Sequence, residues 1–227
     1  PDAAGPVVET LARRDGPRYL MFETLGERTL ALAQLQRRED PTAGYTPQTA
    51  AFLRPILRAC RDARIRIVAN FGAANPDAAA AQFAAELADA GLSGIRIGVI
   101  HGDDVLDAVR DTDAELPEFD TTAKELGERL VSANAYIGAE PIVACLAEGA
   151  QVVLGGRLAD PSLYVGPICH ELDWALDDWD RVGQATLVGH LLECGVHGAG
   201  GNFEDPPYRI VPEPHRLGFP FAELDSD

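Results

Sequence analysis

Short apolar runs that break off at a polar residue and pass into a helix recur along this chain. No other feature of the sequence constrains the fold as much. The runs are residues 18–22, 65–69, 95–100 and 151–154. Each is bounded by loop residues and too short for a core-spanning helix, so each is read as a strand. The stretches between them carry helix punctuation. Asn75-Pro76 and Asp160-Pro161 join a capping side chain to a proline whose missing N–H costs nothing in the first turn; Pro141 after Glu140 works the same way, and Gly91 and Gly149 are stops. The spacing predicts helices over 7–14, 27–38, 46–63, 76–90, 140–148, 161–174 and a further one through Leu192, with Pro55 kinking or dividing the third. Leu30, Leu32 and Leu35 are expected to face inward. His190, among Leu187, Val188 and Leu191, is expected to pack, and Trp174 and Trp179 to anchor a helix hairpin or an interface. This alternation argues an α/β fold: a doubly wound, mostly parallel sheet of Rossmann-like three-layer architecture. At 227 residues a single α/β domain is the economical reading, with 193–227 as a loop-rich extension.

Charge removes several classes of partner. A net charge of -17 repels nucleic acid and opposes docking on anionic membranes. No apolar run approaches the ~18 residues of a membrane span. The four cysteines (Cys60, Cys145, Cys169 and Cys194) form no CxxC pair, which fits reduced thiols and makes the cytoplasm the default compartment. The acidic stretch 111–120 is expected to be an exposed connection.

Parallel strands place their carboxyl ends on one edge, where open α/β sheets bind ligands. Glu23, Asn70, His101 with Asp103 and Asp104, and Arg157 with Asp160 follow the four runs. A carboxylate directly after Tyr-Leu-Met-Phe is expected to be half-buried and in need of a partner, so Glu23 is either a catalytic group or half of an ion pair with an arginine. Arg157 offers a planar fork for a carboxylate or phosphate, with an internal salt bridge as its alternative; Gly155 and Gly156 before it would let a ligand approach the backbone. Asn75, Asp103 and Asp160 also read as simple helix caps. Helix starts at Pro76, Pro141 and Pro161 offer amides to an anion. The polar loop around Asn134 and Tyr136 can reach the same edge, and Gly72, His197 and Asn202 are candidate binding residues around it. Cys194 and His197 lie three apart in a glycine-rich turn, and an inert buried thiol is the reading preferred over a nucleophile. His101, Asp103 and Asp104 lack a second histidine at ligand spacing, so no metal is expected. GxGxxG, Walker A and GxSxG patterns are missing, and no cofactor is expected.

Five segments (19–29, 67–76, 135–139, 153–162 and 189–195) together resemble the acyclic terpene utilisation (AtuA-type) family, with Gly-Gly-Arg-x-x-Asp-Pro and Glu-Cys-Gly as the most specific parts. The resemblance covers nearly the whole chain. It implies bacterial catabolism of branched acids, handled as acids or acyl-CoA thioesters. Family members usually begin before the first residues seen here and continue past a segment like 217–225. The chain is therefore expected to be a portion of a larger protein, or a subunit completed by a homo-oligomer or a partner. The reading is a lyase, either a hydratase/dehydratase or a C–C lyase, on a small-molecule acid or acyl-CoA. Arg157 would hold a carboxylate, Glu23 would act as general acid or base, and Asn70 and Asn134 would donate hydrogen bonds to an enolate oxygen. The turn at 198–201 would close over the substrate. A non-catalytic binding or assembly subunit is the alternative.

Overall fold

The computed structural model describes residues 4–201, 203–213 and 217–225. Helix α1 (Ala4–Ala12) precedes β1 (Arg18–Phe22). Helices α2 (Glu27–Glu39), α3 (Thr49–Leu53) and α4 (Leu57–Asp62) lead to β2 (Ile65–Ala69), and α5 (Pro76–Asp89) to β3 (Ile97–Val99). Then come α6 (Leu106–Val109), a small hairpin of β4 (Glu115–Leu116) and β5 (Thr121–Thr122), α7 (Ala123–Leu126), α8 (Glu140–Ala147), β6 (Val152–Leu154), α9 (Ser162–Leu172) and α10 (Trp179–Leu192).

The fold is α/β. Its main sheet has the order β1-β2-β6-β3 with every pairing parallel. The register matters for function: Phe22 lies beside Ala69, Ala69 beside Leu154, and Leu154 beside Val99. The four strands thus finish level, and the residues that follow them leave along one edge.

Side chains alternate across the sheet as the two-residue strand period requires. Leu20, Ile65, Ile67, Ala69, Val152 and Leu154 join one apolar cluster, with Leu53, Ile56, Leu57 and Phe83. Val68 and Val153 join the other, with Ile142, Leu163 and Ile168. The two central strands are buried on both sides, which is why they read as apolar runs, with Arg66 the one polar residue in β2. Phe22, Phe52 and Phe71 pack together with centroids 5.0–6.1 Å apart, fixing the chain just beyond β2. Across the second face, Arg66 donates to Tyr19 Oη (2.7 Å) and Glu171 Oε1 (3.0 Å), tying β1 and β2 to α9.

Pro55 divides the expected third helix into α3 and α4. Several other expectations fail. Leu32 and Leu35 are about half exposed, and α2 buries Leu30, Ala33 and Gln34 instead. On α10 the buried residues are Ala185 and Gly189, while Leu187, Leu191 and His190 face outward. Helices with small residues inward dock closely, so the bulky residues that usually mark a core face point away. Trp179 is 76% exposed; Trp174 is partly buried in the second cluster, with Arg181 over its ring. The N-cap of α9 is Pro161 rather than Asp160, because Asp160 is drawn to Arg157. Asn75 does cap α5, accepting from Ala78 N at 3.3 Å. No helix among the described residues is long and apolar enough to cross a membrane.

Candidate functional site

The level strand ends deliver Glu23 from β1 and Asn70 from β2 side by side. Asn70 is fully buried, and its Nδ2 donates to Glu23 Oε1 at 2.9 Å. Its own Oδ1 accepts from Thr24 N at 2.9 Å and from the Thr24 hydroxyl at 3.2 Å. Glu23 Oε1 also accepts from Leu25 N at 2.8 Å. The partner Glu23 requires is therefore an amide, not an arginine. Oε2 of Glu23 makes no hydrogen bond among the described residues. One oxygen is held and the other is free.

Next to this pair, β6 is followed by Gly155-Gly156-Arg157. Arg157 is 1% exposed and each of its three side-chain nitrogens is engaged. Nη1 donates to Leu25 O (2.7 Å), Nε to Leu158 O (3.0 Å), and Nη2 to Leu158 O (2.7 Å) and to the Asp160 carboxylate. The guanidinium also lies 4.5 Å from the centre of the Tyr136 ring. The Tyr136 hydroxyl in turn donates to Glu27, and that bond raises its own pKa and lowers that of Glu27. Arg157 is thus enclosed in protein partners instead of lying open to a ligand. Because Leu25 gives its N–H to Glu23 and its C=O to Arg157, the two side chains are joined through a single residue.

Asp103 is buried and caps no helix. Its Oδ2 accepts from Arg157 N (2.9 Å) and Asn134 Nδ2 (3.1 Å). The loop carrying Asn134 reaches the edge through backbone pairing: Ala135 N donates to Asp103 O (2.7 Å) and Ile137 N to Arg157 O (3.1 Å). Gln34 on α2 donates to Asn134 Oδ1 at 3.3 Å, which extends the network outward. Glu23, Asn70, Asn134, Arg157, Asp160 and Tyr136 therefore belong to one hydrogen-bonded neighbourhood.

The glycines here serve the protein's own packing. A Cβ on Gly72 would press on the Gly155 carbonyl and lie 2.9 Å from Pro76 Cα. One on Gly156 would lie 2.6 Å from both Ala73 O and Asp103 Oδ2, and one on Gly155 would meet the Leu158 side chain at 2.8 Å. Close approach of chain segments, not of a ligand, is what requires glycine at these positions.

Tyr164, in the first turn of α9, was not marked by the sequence because it sits in an apolar run. It is buried, and its hydroxyl makes no hydrogen bond among the described residues. Burial, then the charges of Glu193 and Glu23, push its pKa up and keep the hydroxyl protonated. Cys194 also senses Glu23, but it is exposed and donates to Glu193 Oε1 at 3.1 Å, a bond that raises its pKa and opposes thiolate formation. The thiol is therefore neither the buried one expected nor an activated nucleophile. His197 is exposed on the turn Gly195–His197, and Asn202 lies outside the described residues. His101 faces outward and pairs with Asp77 at 3.4 Å. Among the described residues no three His, Cys, Asp or Glu side chains are grouped to hold a metal ion.

Chemically, the edge offers a fixed carboxylate with one free oxygen, a protonated phenol that shares its electrostatic surroundings, and carboxamides that can donate. Beyond Gln34 and Asp104 a cleft of about 590 Å³ opens, lined by Arg37, Arg38 and Arg110. No local pattern signals this cleft, because its arginines come from two helical segments far apart in the chain.

No curated protein and no solved structure matches this chain. Residues 2–227 match the family described as acyclic terpene utilisation family protein AtuA. With essentially the full length covered, the chain belongs to the AtuA family of acyclic terpene utilisation.

Proposed function

We propose that this protein is a lyase of acyclic terpene catabolism that acts on a branched carboxylic acid or its CoA thioester, as a hydratase/dehydratase or a C–C lyase. The observation that carries the reading is Glu23: one oxygen is locked by Asn70 and Leu25, and the other is free at the strand-end edge, as a general base requires. In this scheme Glu23 takes the proton α to the substrate carbonyl, and the C–H electron pair moves onto the carbonyl oxygen as an enolate. The Tyr164 hydroxyl and the second N–H of Asn134 donate to that oxygen. The enolate then expels a β-hydroxyl as water, with the proton that Glu23 now carries; hydration is the reverse. A retro-aldol cleavage omits the α-deprotonation: Glu23 takes the β-hydroxyl proton, the Cα–Cβ bond breaks to leave a carbonyl at Cβ, and its electron pair becomes the enolate of the shortened fragment, which the same donors hold until Glu23 returns the proton to Cα. Arg157 acts as a positioning residue that fixes Leu25 and the 157–160 turn. A three-layer, Rossmann-like arrangement belongs to the same proposal, supported by apolar clusters on alternate faces of the sheet.

The test incubates the protein with branched acids and acyl-CoA esters, saturated, α,β-unsaturated and β-hydroxylated, and follows products by mass spectrometry. Gain or loss of one water, or scission into two fragments, supports a lyase. Oxidation or simple thioester hydrolysis as the sole product overturns it.

The second reading, a binding or assembly subunit, is favoured by the exposed apolar side chains of Trp179, Leu187 and Leu191 on α10. Sedimentation of the protein alone, then with candidate partner chains, tests this. A catalytically active monomer removes it.

A further inference from the structure

We infer that the arginine-lined cleft beside the strand-end edge binds the phosphate groups of a nucleotide-bearing acyl carrier, so that the acyl-CoA thioester, not the free acid, is the form of substrate recognised. This rests on the lyase reading for the acyl end and adds a site for the carrier end.

The cleft is formed where the last turn of α2 faces the segment after β3. Arg37 and Arg38 come from α2, Arg110 from the C-cap of α6, and the cavity is about 590 Å³. Three of the chain's 19 basic residues line this one cleft in a protein of net charge -17. Such a concentration runs against the overall charge and calls for an anionic occupant.

The donors are unspent. Arg38 makes no hydrogen bond or ion pair among the described residues. Arg37 uses Nη1 on Ala74 O (2.6 Å) and lies 3.5 Å from Asp104, which leaves its other nitrogens available. Arg110 reaches only Asp107, at 3.8 Å, and its Nε is buried with no hydrogen-bond partner. The Arg110 side chain as a whole is 40% exposed, and a phosphate oxygen would give it a charge-assisted partner.

Two carboxylates also line the cleft, Asp104 and Glu128. Asp104 is already tied to Arg37 and to Leu106 N (3.2 Å). Glu128 has no such partner and should oppose an anion. The cleft connects to the site through Gln34, which lines it and also donates to Asn134.

The test is calorimetric titration of the full chain with adenosine 3′,5′-bisphosphate, CoA and inorganic phosphate. The proposal expects the bisphosphate and CoA to bind more tightly than inorganic phosphate. Arg38→Gln and Arg110→Gln should each weaken bisphosphate binding about tenfold, roughly the value of one charge-assisted hydrogen bond. Glu128→Gln should tighten it, and added salt should weaken it. Circular dichroism checks that the variants fold, and the opposite sign expected for Glu128→Gln guards against a general loss of structure. Binding of bisphosphate that neither arginine variant changes overturns the inference, as does binding no tighter than that of inorganic phosphate. The readout needs no turnover. Loss of binding in the variants without lyase activity would leave the cleft standing and the lyase reading fallen; turnover of free acids with a cleft that binds no phosphate would do the reverse.

Discussion

Asn70 gives its Nδ2–H to Glu23 Oε1 at 2.9 Å while taking the Thr24 N–H on its own oxygen at the same distance. A fully buried amide thus fixes a carboxylate at the end of the neighbouring strand and is itself fixed by that strand's next residue. The pair is oriented from both sides by the protein itself, which is the preorganisation that the proposed acid/base role of Glu23 calls for.

Asn70→Asp nearly preserves shape but sets a second carboxylate against the first. The variant is expected to lose about 2–4 kcal/mol in urea unfolding at neutral pH. Two adjoining carboxylates raise the folded pKa of one above its unfolded value. The variant's stability is therefore fully present below the unfolded carboxyl value, about pH 4, and lost as pH rises through the raised folded value. Its deficit against wild type should shrink on acidification. A deficit that does not change with pH would mean the two groups do not meet.

Gly72→Ala and Gly156→Ala each insert a methyl group where backbone atoms lie within 3 Å. Overpacking of this kind costs roughly 1–3 kcal/mol. Gly183, in the middle of α10, has open space around its Cβ position, and Gly183→Ala should stabilise by up to about 1 kcal/mol through helix propensity. Thermal unfolding of the three variants checks the ordering. Equal effects would contradict the packing described for the strand ends.

Arg157→Ala removes a buried cation and leaves Asp160 and two carbonyls unmatched. The expected loss is about 3–5 kcal/mol. A double-mutant cycle with Asp160→Asn should give a coupling above about 0.5 kcal/mol, since the two groups are in contact. Additive losses would place Arg157's value in its carbonyl contacts alone.

Much of this frame was legible in the sequence for local reasons. Strands β1 and β2 coincide with apolar runs because both lie against packed helices, and Pro55 divides a helix because proline removes a hydrogen bond wherever it occurs. The site was legible only as far as parallel strands guarantee a common edge. That Arg157 turns inward depends on Leu25 O and Asp160 arriving together, and no local pattern encodes that meeting. Asp160 and Asp103 look like caps because a cap is the default use of an acidic residue before a helix; Asp103 is claimed instead by donors distant in sequence, and Asp160 by Arg157 three residues before it. Tyr164 was hidden in an apolar run; Leu32 and Leu35 were misplaced because α2 turns Leu30, Ala33 and Gln34 inward, and His190 because α10 docks through Ala185 and Gly189.

Cys60 is buried, and burial pushes its thiol up to about 12 from an ordinary value of 9.0. A folded pKa above the unfolded one means that this stabilisation is complete below about pH 9 and is lost as pH rises towards 12. Tyr19 and Tyr164, both raised by burial, add the same sign above about pH 10. Urea midpoints taken at pH 8, 10 and 11 should fall for the wild type. Cys60→Ala should fall less steeply, by up to about 1.4 kcal/mol per pH unit. Parallel slopes would mean that the thiol ionises equally in both states.

The central claim is that the free oxygen of Glu23 moves the proton. Its most direct test compares kcat for wild type, Glu23→Gln and Glu27→Gln on whichever branched acid or acyl-CoA the wild type converts, with circular dichroism confirming the fold of each. Glu23→Gln keeps the oxygen that accepts from Asn70 and Leu25 but loses the base; kcat should fall at least about 100-fold, while Glu27→Gln, whose exposed carboxylate accepts from Tyr136, changes it less than about tenfold. A Glu23→Gln enzyme that turns over like the wild type would contradict the account.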